Sequence, residues 1–374
     1  MFGEVNIPNK IVDLDAGVSF TSICDDGSKI AFGANLRDGA EIFVVNSDGS
    51  ELKQVTNDTM ECIFPHISGD GSKIAFLGIV DEDFNMEVFV VNSDGAGLKQ
   101  LTHQMSAGIP SICDDGSKVA FSAEIDGDSE IFVVNSDASG LKQLTSNSVE
   151  DWSPVISGDG SKIVFESYIK QYQPEIFVVN SDGTDPKQLT FNSIADHTPS
   201  INDDGEKIAF ASILEGGSEI FVINSDGSEV KQLTDRKLTD VWASISGDGG
   251  RIVLSFYSEE KVGIAVVNSD GSGWFRFEID PQINSIQSPG ISDAGSIIAF
   301  ESGSFYYLPE LLVINYDGSS TEPAPNIEET EEDNFGYFIA LALGIALVAL
   351  SVLILLRRKK FQPSKGALQV EATQ

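Results

Sequence analysis

Asp151, Asp196 and Asp240 stand 45 and 44 residues apart in a chain of 374, with Trp152, His197 and Trp242 close behind them. Carboxylates beside aromatic faces suit a ligand with both polar edges and a flat apolar side, such as a sugar or a peptide segment. The commoner use of a short acid in a loop is to accept hydrogen bonds from nearby backbone. Sequence alone leaves both uses open. A dedicated metal site has weaker support. Ca²⁺ takes six to eight oxygens, and neither the recurring NSDG turns nor DGDSE at 126–130 has the spacing of an EF-hand loop.

Local catalytic motifs are absent. There is no GxSxG, no HExxH, no P-loop and no GxGxxG opening a helix. The three histidines, His66, His103 and His197, are scattered, without an HExxH pair or a reactive-cysteine setting, and read as structural or exposed. Cys24, Cys62 and Cys113 lack metal-ligand spacing and read as small buried hydrophobes. No cofactor is expected. The formal net charge of −35 repels phosphate backbones, so nucleic acid is excluded as a partner. Cations, basic proteins or a salty exterior suit such a surface.

The aspartates share one offset, nine residues before a glycine in a recurring string, and that string sets the fold. DDGSKIAF at 25–32 returns as GDGSKIAF, DDGSKVAF, GDGSKIVF, DDGEKIAF, GDGGRIVL and DAGSIIAF. Its glycines are Gly27, Gly71, Gly116, Gly160, Gly205, Gly249 and Gly295, spaced by 44, 45, 44, 45, 44 and 46. NSDG or a variant and KQLT or KQVT keep step with it. Seven units of about 44 residues are the size of propeller blades. SKIAF and EIFVVN alternate like strands, and the DG pairs supply the positive φ of tight hairpins. The fold class is therefore all-β, a seven-bladed β-propeller.

Within each blade, strands A to D run from the centre outward. Pro65, Pro110, Pro154, Pro199 and Pro289 fall on strand A, where an edge towards the channel tolerates a missing N–H. Ile23, Ile67, Ile112, Ile156, Ile201, Ile245 and Ile291 are the expected blade-to-blade packing residues. The seventh unit lacks KQLT, and Ile11 lies 16 before Gly27 as Val55 lies 16 before Gly71. The N-terminus is therefore expected to supply the outer strand of the last blade.

The repeated P…S-x-DG-S-K-I-A-F followed by E-I-F-V-V-N-S-D-G…K-Q-L-T resembles the TolB-type, WD-repeat-like propeller repeat over roughly residues 9–318. The Gly-His and Trp-Asp dipeptides of true WD repeats are missing. TolB itself has six blades behind an α/β domain, so the resemblance implies the architecture and ligand or protein binding rather than TolB's own role.

The A–B and C–D turns lie on one face and are nearly identical in every blade. The B–C and D–A connections lie on the other face and vary, with bulky insertions at 81–86, 168–174 and 304–309. Function is expected on that variable face. Beyond the propeller (1–318), an acidic stretch at 319–334 reads as a disordered stalk. Residues 335–356 are 22 without a charge, enough to span roughly 33 Å as a helix. The basic tail 357–374 then predicts a single-pass transmembrane helix with a cytoplasmic C-terminus and an extracytoplasmic propeller. MFGEVNIPNK shows no signal peptide, which argues against that topology. The expected function is a membrane-anchored module binding a protein or carbohydrate ligand at the cell envelope. A propeller-type hydrolase or lyase acting on polysaccharide or peptide is the alternative, since scattered carboxylates leave no local motif.

Overall fold

The computed structural model describes residues 8–316, except 58–59, 82–83, 171, 216, 235–241, 258–261, 278, 280–282, 284 and 304–307. Asp240, the expected stalk, the helix expected at 335–356 and the basic tail lie outside the described residues. Among the described residues no helix is long and apolar enough to cross a membrane. Contacts divide the chain into units Met1–Ile327 and Glu328–Gln374, and all described strands belong to the first.

Each repeat folds into a four-stranded antiparallel sheet, giving seven sheets. Blade 1 is typical, with strands at Gly17–Ile23, Lys29–Leu36, Gly39–Asn46 and Lys53–Gln54. The turns form as the sequence dictates. Gly27 and Gly49 sit at φ of 69° and 84°, and Asp26 and Asp48 accept the amides of Ser28 and Ser50 at 2.8 and 2.9 Å. Ser47 N donates to Ser28 O at 2.9 Å, so both turns lie side by side on one face. The outer strand is only two residues long. Its following threonine secures it: Thr56, Thr102 and Thr145 donate to the buried Glu41, Glu87 and Glu130 at 2.5–2.6 Å.

Pro65, Pro154, Pro199 and Pro289 lie on the edge strand of each sheet, as expected, and in addition the pairing of that strand is interrupted around them. Ladder pairing is interrupted between Ile63 and His66, Trp152 and Val155, His197 and Ser200, and Gln287 and Gly290. Pro65, Pro154, Pro199 and Pro289 lie inside these β-bulges, where no ladder bond needs their missing N–H. Pro110 lies just before its strand, Ser111–Ile112. In blade 1 the corresponding residue is Thr21, and its amide donates to the buried Glu301 of blade 7 at 2.7 Å.

Closure follows the expectation. Asn9–Lys10 pairs with Glu310–Asn315, Asn9 opposite Val313 and Lys10 opposite Leu312. Lys10 Nζ also meets Glu310 at 2.9 Å.

The core is divided into seven apolar clusters, each drawn from two neighbouring blades. Cys24, Ile42 and Val44 of blade 1, for example, pack on Ile67, Ile74 and Phe76 of blade 2. A fully buried side chain such as Phe76 contributes about 2–3 kcal/mol relative to exposure. Polar latches add less, about 1 kcal/mol each, so apolar burial holds the ring and the latches set its register. Lys73, Lys118 and Lys162 each donate to the repeat glycine carbonyl of the next blade at 2.8–3.0 Å. Blade 7 breaks this series, because Ile297 replaces the lysine and packs towards Gly27.

Candidate functional site

Strand A begins at the variable face, and the bulge lies near that end. The residues seven before each repeat glycine are Phe20, Phe64, Ile109, Ser153, Thr198, Trp242 and Ser288, one per blade around the channel. Five of them adopt φ between 46° and 55°: Phe20, Phe64, Ser153, Thr198 and Ser288. This conformation is uncommon for residues other than glycine, and such outliers concentrate where a fold presents function. Phe20 and Phe64 touch across the junction of blades 1 and 2, with ring centroids 3.9 Å apart. Ile109 is 52% exposed and Trp242 37%. The wall is therefore uneven, apolar on blades 1 to 3 and 6 and hydroxyl-bearing on blades 4 and 7, while the Thr198 hydroxyl of blade 5 is shielded from solvent.

The sequence-derived aspartates lie deeper. Asp151 and Asp196 are fully buried and accept Asn147 Nδ2 and Asn192 Nδ2 at 2.7 and 2.6 Å. Ser212 donates to the second oxygen of Asp196. Desolvation pushes both carboxyls above the usual range, against these hydrogen bonds. Both side chains anchor the loops rather than line an open surface. Trp152 and His197 are half-buried beside them. His197 Nε2 is shielded and unpartnered among the described residues, and burial lowers its pKa to about 4, so it is neutral. Of the six expected residues, only Trp242 among those described is well exposed.

Two more buried acids sit near the bulges. Glu166 accepts Thr198 N of the next blade at 2.8 Å, and burial raises it to about 7. Glu301 accepts Thr21 N, and burial raises it to about 8. They serve different junctions, 4–5 and 7–1, so they do not form an acid–base pair.

The opposite mouth, on the face of the near-identical turns, holds a carboxylate group. Oxygens of Asp25, Asp114 and Asp203, from blades 1, 3 and 5, all lie within 4.8 Å of one another. Desolvation, then the neighbouring acids, raise Asp25 to about 6 and Asp114 and Asp203 to about 7. Blades 2, 4 and 6 carry Gly69, Gly158 and Gly247 at the same place. A Cβ there would fall 2.0–2.2 Å from a carboxylate oxygen of the preceding blade. The alternation of DDG with GDG was visible in the sequence. That alternate blades converge on one axis follows only from ring closure. Three carboxylates could hold a hard cation, yet they supply only part of the six to eight oxygens that Ca²⁺ takes. The apolar members of the upper ring were equally legible, since Phe20 and Phe64 share the offset of Trp242.

No curated protein matches the sequence significantly. Among solved structures, the fold is similar to an oligogalacturonate lyase in complex with manganese, with TM-score 0.66, 14% identity, and 82% of this chain and 92% of that one covered. A puromycin hydrolase gives TM-score 0.64 and 13% identity over 82% of this chain and 53% of that one. The propeller domain of the Trilobed protease from Pyrococcus furiosus, with an open velcro topology, gives 0.57 and 17% over 80% and 93%. At these identities the likeness is one of fold. The family model for the TolB beta propeller domain matches residues 27–194 and 168–334, and the chain belongs to that family.

Proposed function

We propose that this propeller is a binding module which takes a protein or carbohydrate ligand at the channel mouth of its variable face. In this reading it is presented outside a membrane by a helix at 335–356, with the tail 357–374 in the cytoplasm. The carrying observation is the uneven ring, in which Phe20, Phe64 and Ile109 share the strand A position with Trp242 and with the hydroxyl residues Ser153 and Ser288. Aromatic faces beside hydroxyls stack on sugar rings or peptide groups while holding their polar edges. The test is a screen of glycans and envelope proteins against the full-length chain and its Trp242→Ala and Ile109→Ser variants. A ligand that binds the parent and loses roughly ten-fold in affinity in either variant supports the reading. A ligand that binds all three equally would overturn the placement.

A hydrolase or lyase is the second reading, and the Asp25, Asp114 and Asp203 group is what favours it. Carboxyls with pKa near neutrality are suited to proton transfer. The charge of −35 opposes a polyanionic substrate such as an oligogalacturonate. Turnover of neutral oligosaccharides or peptides that is lost in Asp114→Asn would replace the binding reading with this one.

A further inference from the structure

The outer wall between blades 4 and 5 carries a groove of ≈ 710 Å³. Its lips are Phe191 and Val230, 76% and 57% exposed, and Phe221 lies half-buried in it. The repeats supply their own controls. The residue after the outer-strand threonine is Asn57, His103, Ser146 and Asp235 in the other KQLT-bearing blades, so Phe191 is the exception. The counterparts of Phe221 in blades 1 to 3, Phe43, Phe89 and Phe132, are only 5–6% exposed, whereas Phe177 of blade 4 is half-buried like Phe221, so the exposed Phe191 is what sets this groove apart. An exposed large aromatic over an open apolar floor is a feature that repeat geometry does not require.

The rim is acidic. Asp226 lines the groove, and Asp185 and Glu229 adjoin its lining residues Pro186 and Val230. Hydrogen bonds from Ser228, then the charge of Lys187, hold Asp226 below the usual carboxylate range, so it is ionised. Lys187 is the lining base, and its ammonium is already engaged by the Asp226 carbonyl; Lys231, which also adjoins Val230, is directed to the Asp270 carbonyl of blade 6. We infer that the blade 4–5 groove docks an extended segment of a partner protein carrying one large apolar side chain flanked by lysine or arginine. The anchor would fill the space between Phe191, Phe221 and Val230, and the basic flanks would meet the acidic rim. The groove is separate from the channel mouth, so neither reading depends on the other.

The probe is a fluorescent acetyl-Lys-Leu-Phe-Lys-Lys-amide carrying a photo-crosslinker, titrated into the full-length chain. Binding is expected, with crosslinks in blades 4 and 5. The same peptide with glutamates for lysines should bind at least ten-fold more weakly. Phe191→Ser, which installs a blade 3-like residue on an exposed site, should weaken binding roughly ten-fold, whereas Trp242→Ala should leave it unchanged. Equal binding by Phe191→Ser and the parent, crosslinks confined to other blades, or a self-association that Phe191→Ser abolishes and the peptide does not compete would each overturn the proposal.

Discussion

At the scale of single residues, His66 shows how position dictates protonation. Its Nδ1 accepts Ile112 N of the next blade at 3.3 Å, a place that Ser22, Ser111 and Ser200 fill through their hydroxyls at 3.1–3.2 Å. Burial lowers its pKa to about 4 from 6.5. The folded state therefore resists a proton that the unfolded chain takes up, and stability falls as pH drops from 6.5 towards 4. His66→Ser should keep the latch and flatten that decline, while His66→Ala should cost about 1 kcal/mol; thermal melts across pH decide. The axial aspartates act with the opposite sign. Their folded pKa values of about 6 to 7 lie above the unfolded 3.8, so the folded state favours the proton. Their destabilising effect grows as pH rises from about 4 through 7. Asp114→Asn should raise the melting temperature at pH 8 and leave it little changed at pH 4. The groups are half-exposed, which limits the gain to about 1–2 kcal/mol. An equal rise at both pH values would show that the carboxyl is unperturbed.

At the scale of strands and turns, glycine spacing made the blades legible, because each DG turn must recur wherever the chain reverses. The bulges were not legible. The prolines were visible, but an interrupted ladder and a channel-facing edge predict the same residue type. Thr21 separates the two explanations. Proline fills its place in five other blades, yet here the amide is the partner of a buried carboxyl. Thr21→Pro should therefore destabilise by about 1–3 kcal/mol, and Glu301→Gln should recover part of that loss. A harmless Thr21→Pro would mean that Glu301 is satisfied without it. Deleting residues 1–14 removes the partner of Glu310–Asn315 together with the buried Val12. Lost burial and strand bonding of about 2–4 kcal/mol correspond to a fall of roughly 3–6 °C in Tm. An unchanged calorimetric transition would refute this account of closure.

For the whole molecule, the two faces differ in kind. One repeats the same two turns in blades 1 to 6, and the other carries every length change in the connections. If a 16-residue stalk follows the last blade, its mean reach of roughly 20–25 Å would keep the monotonous face towards the bilayer. Ser50→Cys on that face should then react with a bulky maleimide more slowly than Ser148→Cys on the variable face of intact membranes. The native cysteines are free but buried, so they contribute little background. Equal rates would mean that the propeller tumbles on its tether.

The Asp and Gly alternation around the axis carries one more consequence. Two colours can alternate without conflict only around an even ring, and this ring has seven members. Alternation must fail once, and it fails where Asp293 of blade 7 adjoins Asp25 of blade 1, whose amide and carbonyl meet at 2.8 Å. Among the acids that raise Asp25, Asp293 acts most strongly. The same junction has Ile297 in place of the bridging lysine and is the one that the N-terminal strand must close. Parity thus sets a single frustrated seam in the ring of blades, and the first and last of the described strands are paired beside it.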